Sequence, residues 1–154
     1  MVKKLLLMLL ISIMTFSTIA ALADMPAEVS PTDAGTTTGL IDLKNPSTST
    51  STTTQDNFII SGVGLEGVQA GLYNQLVDGQ NYKILVIDGE IAQQYIGSSG
   101  FYAQKVYLIQ GKNELLVRAE ASDGKYEIKK FEINLLNDNF WERLSKIPFS
   151  LLFQ

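Results

Sequence analysis

Val106-Tyr107-Leu108-Ile109-Gln110-Gly111-Lys112-Asn113-Glu114-Leu115-Leu116-Val117-Arg118-Ala119 is the stretch on which the fold turns, with Asp123-Gly124 just beyond it. Leu115, Val117 and Ala119 point one way along an extended chain, and Glu114, Leu116 and Arg118 point the other, which is the two-residue period of a strand. Tyr102 to Ile109 alternates as well, with Tyr102, Val106 and Leu108 on one face. Gly111 permits a tight turn between the two runs, and the Asn113 side-chain amide is placed to cap it. Asp123-Gly124 then separates the second run from a third, Tyr126 to Leu136. Gly accepts the positive φ that hairpin turns demand and Asp tolerates it, so this pair predicts a hairpin.

Outward from this stretch the pattern repeats. Phe58-Ile59-Ile60, Val68 to Tyr73, Tyr82 to Ile87 and Ile91 to Ile96 are short apolar runs rich in β-branched and aromatic residues. Asp78-Gly79 and Asp88-Gly89 punctuate them. Strands of this length at intervals of roughly ten residues predict a sandwich of about seven strands over residues 39–136. No ten-residue stretch between 57 and 136 has a helical period. Leu40 to Leu43 is a partly alternating island that fits a first strand at a sheet edge.

These residues also fall at offsets shared by a known family. Ile60-Ser61-Gly62 is followed by Gly67-Val68, by Ser99-Gly100 ahead of an aromatic pair, and by Val106-x-Leu108-x-x-Gly111-x-Asn113-x-Leu115-x-Val117-x-Ala119. Over about residues 40–136 this resembles the bacterial immunoglobulin-like domains of surface adhesins and secreted polysaccharide-degrading enzymes. The resemblance implies an antiparallel immunoglobulin-like β-sandwich with Leu108, Leu115, Val117 and Ala119 between the sheets. It says little about function, because one fold carries many.

The N-terminus has the three parts of a secretory signal. Lys3 and Lys4 are its basic region, Leu5 to Ile19 its apolar run, and Ala21-Leu22-Ala23 its small-residue cleavage site. Residues 1–23 are therefore read as a signal peptide, and the chain as exported to the periplasm, the cell surface or the medium. An uncleaved N-terminal anchor is the alternative. With no cysteine after the apolar run there is no thiol for a lipoprotein anchor. Residues 24–38, with Pro26, Pro31 and Thr36-Thr37-Thr38, are expected to form a disordered spacer. Ser47 to Thr54 is an unbroken Ser/Thr run, and 47–56 is read as a loop or tether, with an O-glycosylated stalk as the other reading.

The full chain has 16 acids, 12 bases, no histidine and no cysteine, for a net charge of −4. Removal of 1–23 takes away two lysines and no acid, leaving about −6. Nucleic-acid binding, which gains from counterion release by basic side chains, is not expected. Without His or Cys there is no Ser-His-Asp or Cys-His nucleophile, no structural zinc set and no disulfide. Asp78, Asp88, Glu90 and Asp123 have the oxygens calcium wants, yet no Asp-x-Asp-x-Asp loop holds them, and they are read as turn formers. Gly62-x-Gly64-x-x-Gly67 matches a dinucleotide string, but it joins two strands rather than opening a helix. Neither a metal nor a cofactor is expected, and no residue is nominated as catalytic.

Two groups are candidates for binding. The first is the tail, 137–154. Asn139 and Glu142 have capping-box spacing, and Phe140, Trp141, Leu144 and Ile147 recur at helical intervals before Pro148. Phe149, Leu152 and Phe153 extend the apolar character. Covering the end or edge of the sandwich, docking into a partner protein, and lying in a membrane interface are its three readings. The second group is aromatic: Tyr73, Tyr82, Tyr95, Phe101, Tyr102 and Tyr107, of which some belong to the core and others fit a sugar-stacking platform. The chain thus reads as a non-enzymatic exported module for protein binding or assembly. The alternatives are a carbohydrate-binding accessory protein, or a small secreted hydrolase inhibitor using the 96–101 loop.

Overall fold

A computed structural model describes residues 25–137. These residues are all β, and β-strands in two main sheets enclose one core, an arrangement compatible with a β-sandwich. In chain order the strands are β1 (Glu28–Val29), β2 (Ile41–Asn45), β3 (Thr50–Thr53), β4 (Asn57–Gly64), β5 (Gln69–Gln75), β6 (Tyr82–Ile84), β7 (Val86–Ile87), β8 (Glu90–Ile91), β9 (Gln93–Tyr95), β10 (Phe101–Tyr107), β11 (Gly111–Glu120) and β12 (Tyr126–Leu135). The larger sheet runs β1-β6-β5-β11-β12-β3, with β9 also paired to β5. The smaller runs β10-β4-β2, and β7-β8 form a separate hairpin. Pairing is antiparallel throughout except for β3, which lies parallel to β12.

The alternation seen in sequence sets the two faces. Leu115, Val117 and Ala119 of β11, Ala70 and Leu72 of β5, and Phe131 and Ile133 of β12 meet Ile60, Tyr102 and Val106 of the smaller sheet in one cluster. Leu108 is buried in it too. Asn113 closes the β10–β11 turn as expected. Its Oδ1 accepts from the Ile109 N–H at 2.9 Å, and its Nδ2 donates to the Ile109, Gly111 and Ile133 carbonyls. Asp88 and Gly89, both at positive φ, form the two-residue turn between β7 and β8. The runs 82–87 and 91–96 each break into two short strands, because Leu85 and Ala92 leave the edges to bond each other and Leu72.

The close approach of β2 to β4 explains the glycine string. A Cβ on Gly62 would collide with the Asp42 carbonyl, and one on Gly64 would lie 2.9 Å from the Leu40 carbonyl. Gly67, at φ +84°, makes the turn that follows. The string serves strand packing and a turn.

Two segments differ from expectation. Residues 25–38, expected to be disordered, lie across the outer face of the larger sheet. Met25 and Val29 are buried there with Tyr73, Tyr82 and Leu116. The Tyr73 hydroxyl donates to the Pro26 carbonyl at 2.8 Å, and Lys130 donates to the Pro31 and Asp33 carbonyls. Arg118 stacks on Tyr126 at 3.6 Å, and Asp33 accepts from the Tyr126 hydroxyl. A polar segment with only two large apolar residues orders because a ready-made apolar face and polar partners await it, all distant in sequence. Within the Ser/Thr run, Thr50–Thr53 is a strand rather than a tether. Glu132 N–H donates to the Ser49 carbonyl and Leu136 N–H to the Thr53 carbonyl, both at 2.8 Å. β-branched threonine suits that role.

Candidate functional site

The outer face of the larger sheet is closed by the chain's own N-terminal segment. The outer face of β10-β4-β2 has no such cover among the described residues. Strand alternation places Ile59, Ser61 and Val63 of β4 outward beside Phe101, Ala103, Lys105 and Tyr107 of β10. The register sets Phe101 opposite Val63, Lys105 opposite Ile59 and Tyr107 opposite Asn57. Directly opposed side chains on a sheet lie about 5 Å apart at Cβ, so these residues form one continuous surface. Ile59 is 57% exposed, Val63 51%, Phe101 56% and Tyr107 49%. An antiparallel sheet with one solvated face ordinarily puts polar residues there. The large apolar side chains fall in two groups, Phe101 with Val63 at one end and Ile59 diagonal to Tyr107 at the other, with Ala103 and Ser61 between them; exposed apolar surface of this sort marks contact sites.

The polar members of the face are held in place. Lys105 lies 4.4 Å from the Tyr107 ring centroid and donates to its hydroxyl at 2.8 Å. That bond holds the lysine's pKa above its ordinary value, with Tyr107, Asp88 and Asp56 adding to it and desolvation opposing. The Tyr107 hydroxyl reaches Asp88 Oδ2 at 3.5 Å. On the far strand Lys44 pairs with Asp42. Gln94 from β9 protects the β10 edge: its Nε2 donates to the Phe101 carbonyl at 2.8 Å, and its Oε1 accepts the Ala103 N–H at 3.0 Å. One side-chain amide thus occupies backbone groups that would otherwise template another strand.

The six aromatic candidates divide evenly. Tyr73, Tyr82 and Tyr102 are buried; Tyr95, Phe101 and Tyr107 are exposed, with Phe101 and Tyr107 on one face of one strand. The tail candidates Phe140, Trp141, Leu144, Ile147, Phe149, Leu152 and Phe153 lie outside the described residues, as do residues 1–24. The 96–101 loop is a tight turn, closed by a Gly100 N–H to Gly97 carbonyl bond of 2.9 Å. Among the described residues no three of His, Cys, Asp or Glu are grouped as a metal would need. Asp123 bonds Lys125, and Asp78 lies 3.7 Å from Lys112. Ile59 and Val63 were not singled out by sequence reasoning. The signal was present in β4, where apolar residues occupy both phases of the strand. Telling the wet face from the buried one, however, needs the partner sheet. No protein family matches this chain, and no curated protein is similar to it.

Proposed function

We propose that this chain is an exported, non-enzymatic immunoglobulin-like module that binds a partner protein through the outer face of β10-β4-β2. The observation that carries the reading is the solvent-facing set Ile59, Val63, Phe101 and Tyr107, on the face that no other described residue covers, while residues 25–38 close the other. The immunoglobulin-like part is supported by the path of the first strands. β2 pairs in one sheet, and after Pro46 the chain crosses to pair β3 with the last strand of the other. Export is supported by the composition of residues 1–23. Aromatic anchors with apolar neighbours and a polar surround are what protein interfaces concentrate.

The test is a photo-crosslinking amino acid placed at Phe101 or Ile59 in the producing cell. A discrete adduct from both positions, and none from Lys83 on the opposite sheet, is the expected result. Failure of every position on the face to form an adduct overturns the proposal. The two rings of Phe101 and Tyr107 on one strand favour a second reading, in which the face stacks on polysaccharide. In that case a glycan array gives binding that Phe101→Ser and Tyr107→Ser abolish; signal no higher than background excludes it.

A further inference from the structure

A strand at the edge of a sheet leaves half of its backbone N–H and C=O groups unpaired, and those groups template another strand unless something guards them. Among the described residues the edges of β10, β2 and β1 are guarded or short. Gln94 occupies the edge of β10. β2 carries Asp42 and Lys44, and its register breaks between Leu43 and Asn45. β1 is 2 residues long. β3 has none of these devices. It lies within Ser47 to Thr54, a run with no charge, no proline and no glycine. It pairs with β12 on one side and ends the larger sheet on the other.

The register shows which groups β3 leaves open. Glu132 donates to the Ser49 carbonyl and Leu136 to the Thr53 carbonyl. Successive residues of a strand turn their backbone groups to opposite edges. Ser49, Ser51 and Thr53 therefore face β12, and Thr50 and Thr52 turn N–H and C=O outward. Both of these residues are exposed. The Thr48 hydroxyl donates to the Thr50 carbonyl at 2.7 Å. That bond uses one of the oxygen's two lone pairs and leaves the other.

We propose that this edge pairs with the same edge of a second copy, β3 antiparallel to β3, so that the larger sheets of two molecules join into one. The strand is its own complement. A two-fold axis at Ser51 sets Thr50 opposite Thr52 of the second copy and Thr52 opposite Thr50. Each of these pairs can exchange N–H···O=C bonds in both directions. Threonine then faces threonine, a favourable cross-strand pair. The absence of charge matters most for a self-contact, because any charge near the axis meets its like. The chain as a whole carries −4, yet none of that charge lies on β3. Short strands make a small interface, so the pairing is weak and follows concentration. It does not depend on the function proposed for the β10-β4-β2 face, which belongs to the other sheet.

The test is sedimentation equilibrium of the protein as the cell processes it, over concentrations from about 10 μM to 1 mM, where weak association is populated. The mass should rise from that of one copy toward that of a dimer. Over the same range the Thr50 and Thr52 amides should gain protection from hydrogen exchange, a readout that needs no variant. Thr52→Pro removes an outward N–H and no bond to β12, and an edge strand accepts proline at such a position. Thr52→Lys brings two ammonium groups together across the axis. Each variant should keep a melting temperature close to the parent's and stay monomeric at the highest concentration. A single-copy mass throughout the range overturns the proposal. So does a dimer that persists in both variants, or one that forms with the Thr50 and Thr52 amides still open. If Phe101→Ser dissolves that dimer, the contact lies on the β10-β4-β2 face instead.

Discussion

Glu127 sits on β12 with its side chain almost wholly buried between the sheets. Its Oε2 accepts the Leu40 N–H at 2.7 Å and the Ile41 N–H at 3.1 Å, and its Oε1 lies 2.7 Å from the Lys129 ammonium. Burial pushes the carboxyl pKa up. The Lys129 ammonium and the N–H groups of Ile41, Leu40 and Gly39 outweigh burial and hold it below the ordinary value. The folded chain therefore keeps its proton off to lower pH than the unfolded chain does. The stabilisation is complete above about pH 5 and is lost as the pH falls through the native value. Glu127→Ala leaves buried N–H groups unpaired and should cost about 3 kcal/mol at pH 7 by urea unfolding. Glu127→Gln should cost less, and its deficit should shrink steadily in melts taken toward acid. A deficit independent of pH would show that the charge contributes nothing. Tyr102 is the opposite case. Its hydroxyl is buried with no hydrogen-bond partner among the described residues, and burial drives its pKa well up. Tyr102→Phe removes a desolvated group and nothing that it bonds, so stability should be unchanged or rise by about 1 kcal/mol.

At the scale of elements, the β2–β4 pairing depends on two missing side chains. Gly62→Ala places a methyl against the β2 backbone and should cost about 1–3 kcal/mol in denaturant unfolding. Cost near zero would mean that β2 can move away freely. The N-terminal segment makes a larger prediction. Val29 seats among Tyr73, Tyr82 and Leu116. Val29→Asp puts a charge there and frees the segment, exposing a second apolar face. Stability should fall by about 2 kcal/mol or more, and a hydrophobic dye should bind the folded variant more strongly than it binds the parent. The composition of 24–38 hid this role. Met25 and Val29 are too few to form a core by themselves, and the surface they complete is built from β5, β6 and β11. The Ser/Thr strand β3 was hidden for a similar reason, since its ladder among the described residues runs to β12, far later in the chain.

For the whole molecule, the decisive asymmetry is between its two outer faces, one covered by residues 25–38 and one with no cover among the described residues. Phe101→Ser with Tyr107→Ser should leave the melting temperature close to the parent's, since surface changes away from special contacts stay within about 0.5 kcal/mol. Solubility at high concentration should rise, as measured by light scattering. A sharp loss of stability would instead show the face to be structural.

The strand pattern, the Asp-Gly turns, the Asn113 cap and the inward set Leu108, Leu115, Val117 and Ala119 were all legible in sequence. Each rests on neighbours within a few residues, where the period of a strand and the φ of a turn are local chemistry. Which aromatics lie on which face, and what segment 25–38 does, were decided only in the tertiary structure. A strand with apolar residues in both phases has two possible insides, and only the sheet that packs against it chooses one. The same packing that buried Tyr73, Tyr82 and Tyr102 left Phe101 and Tyr107 at the surface.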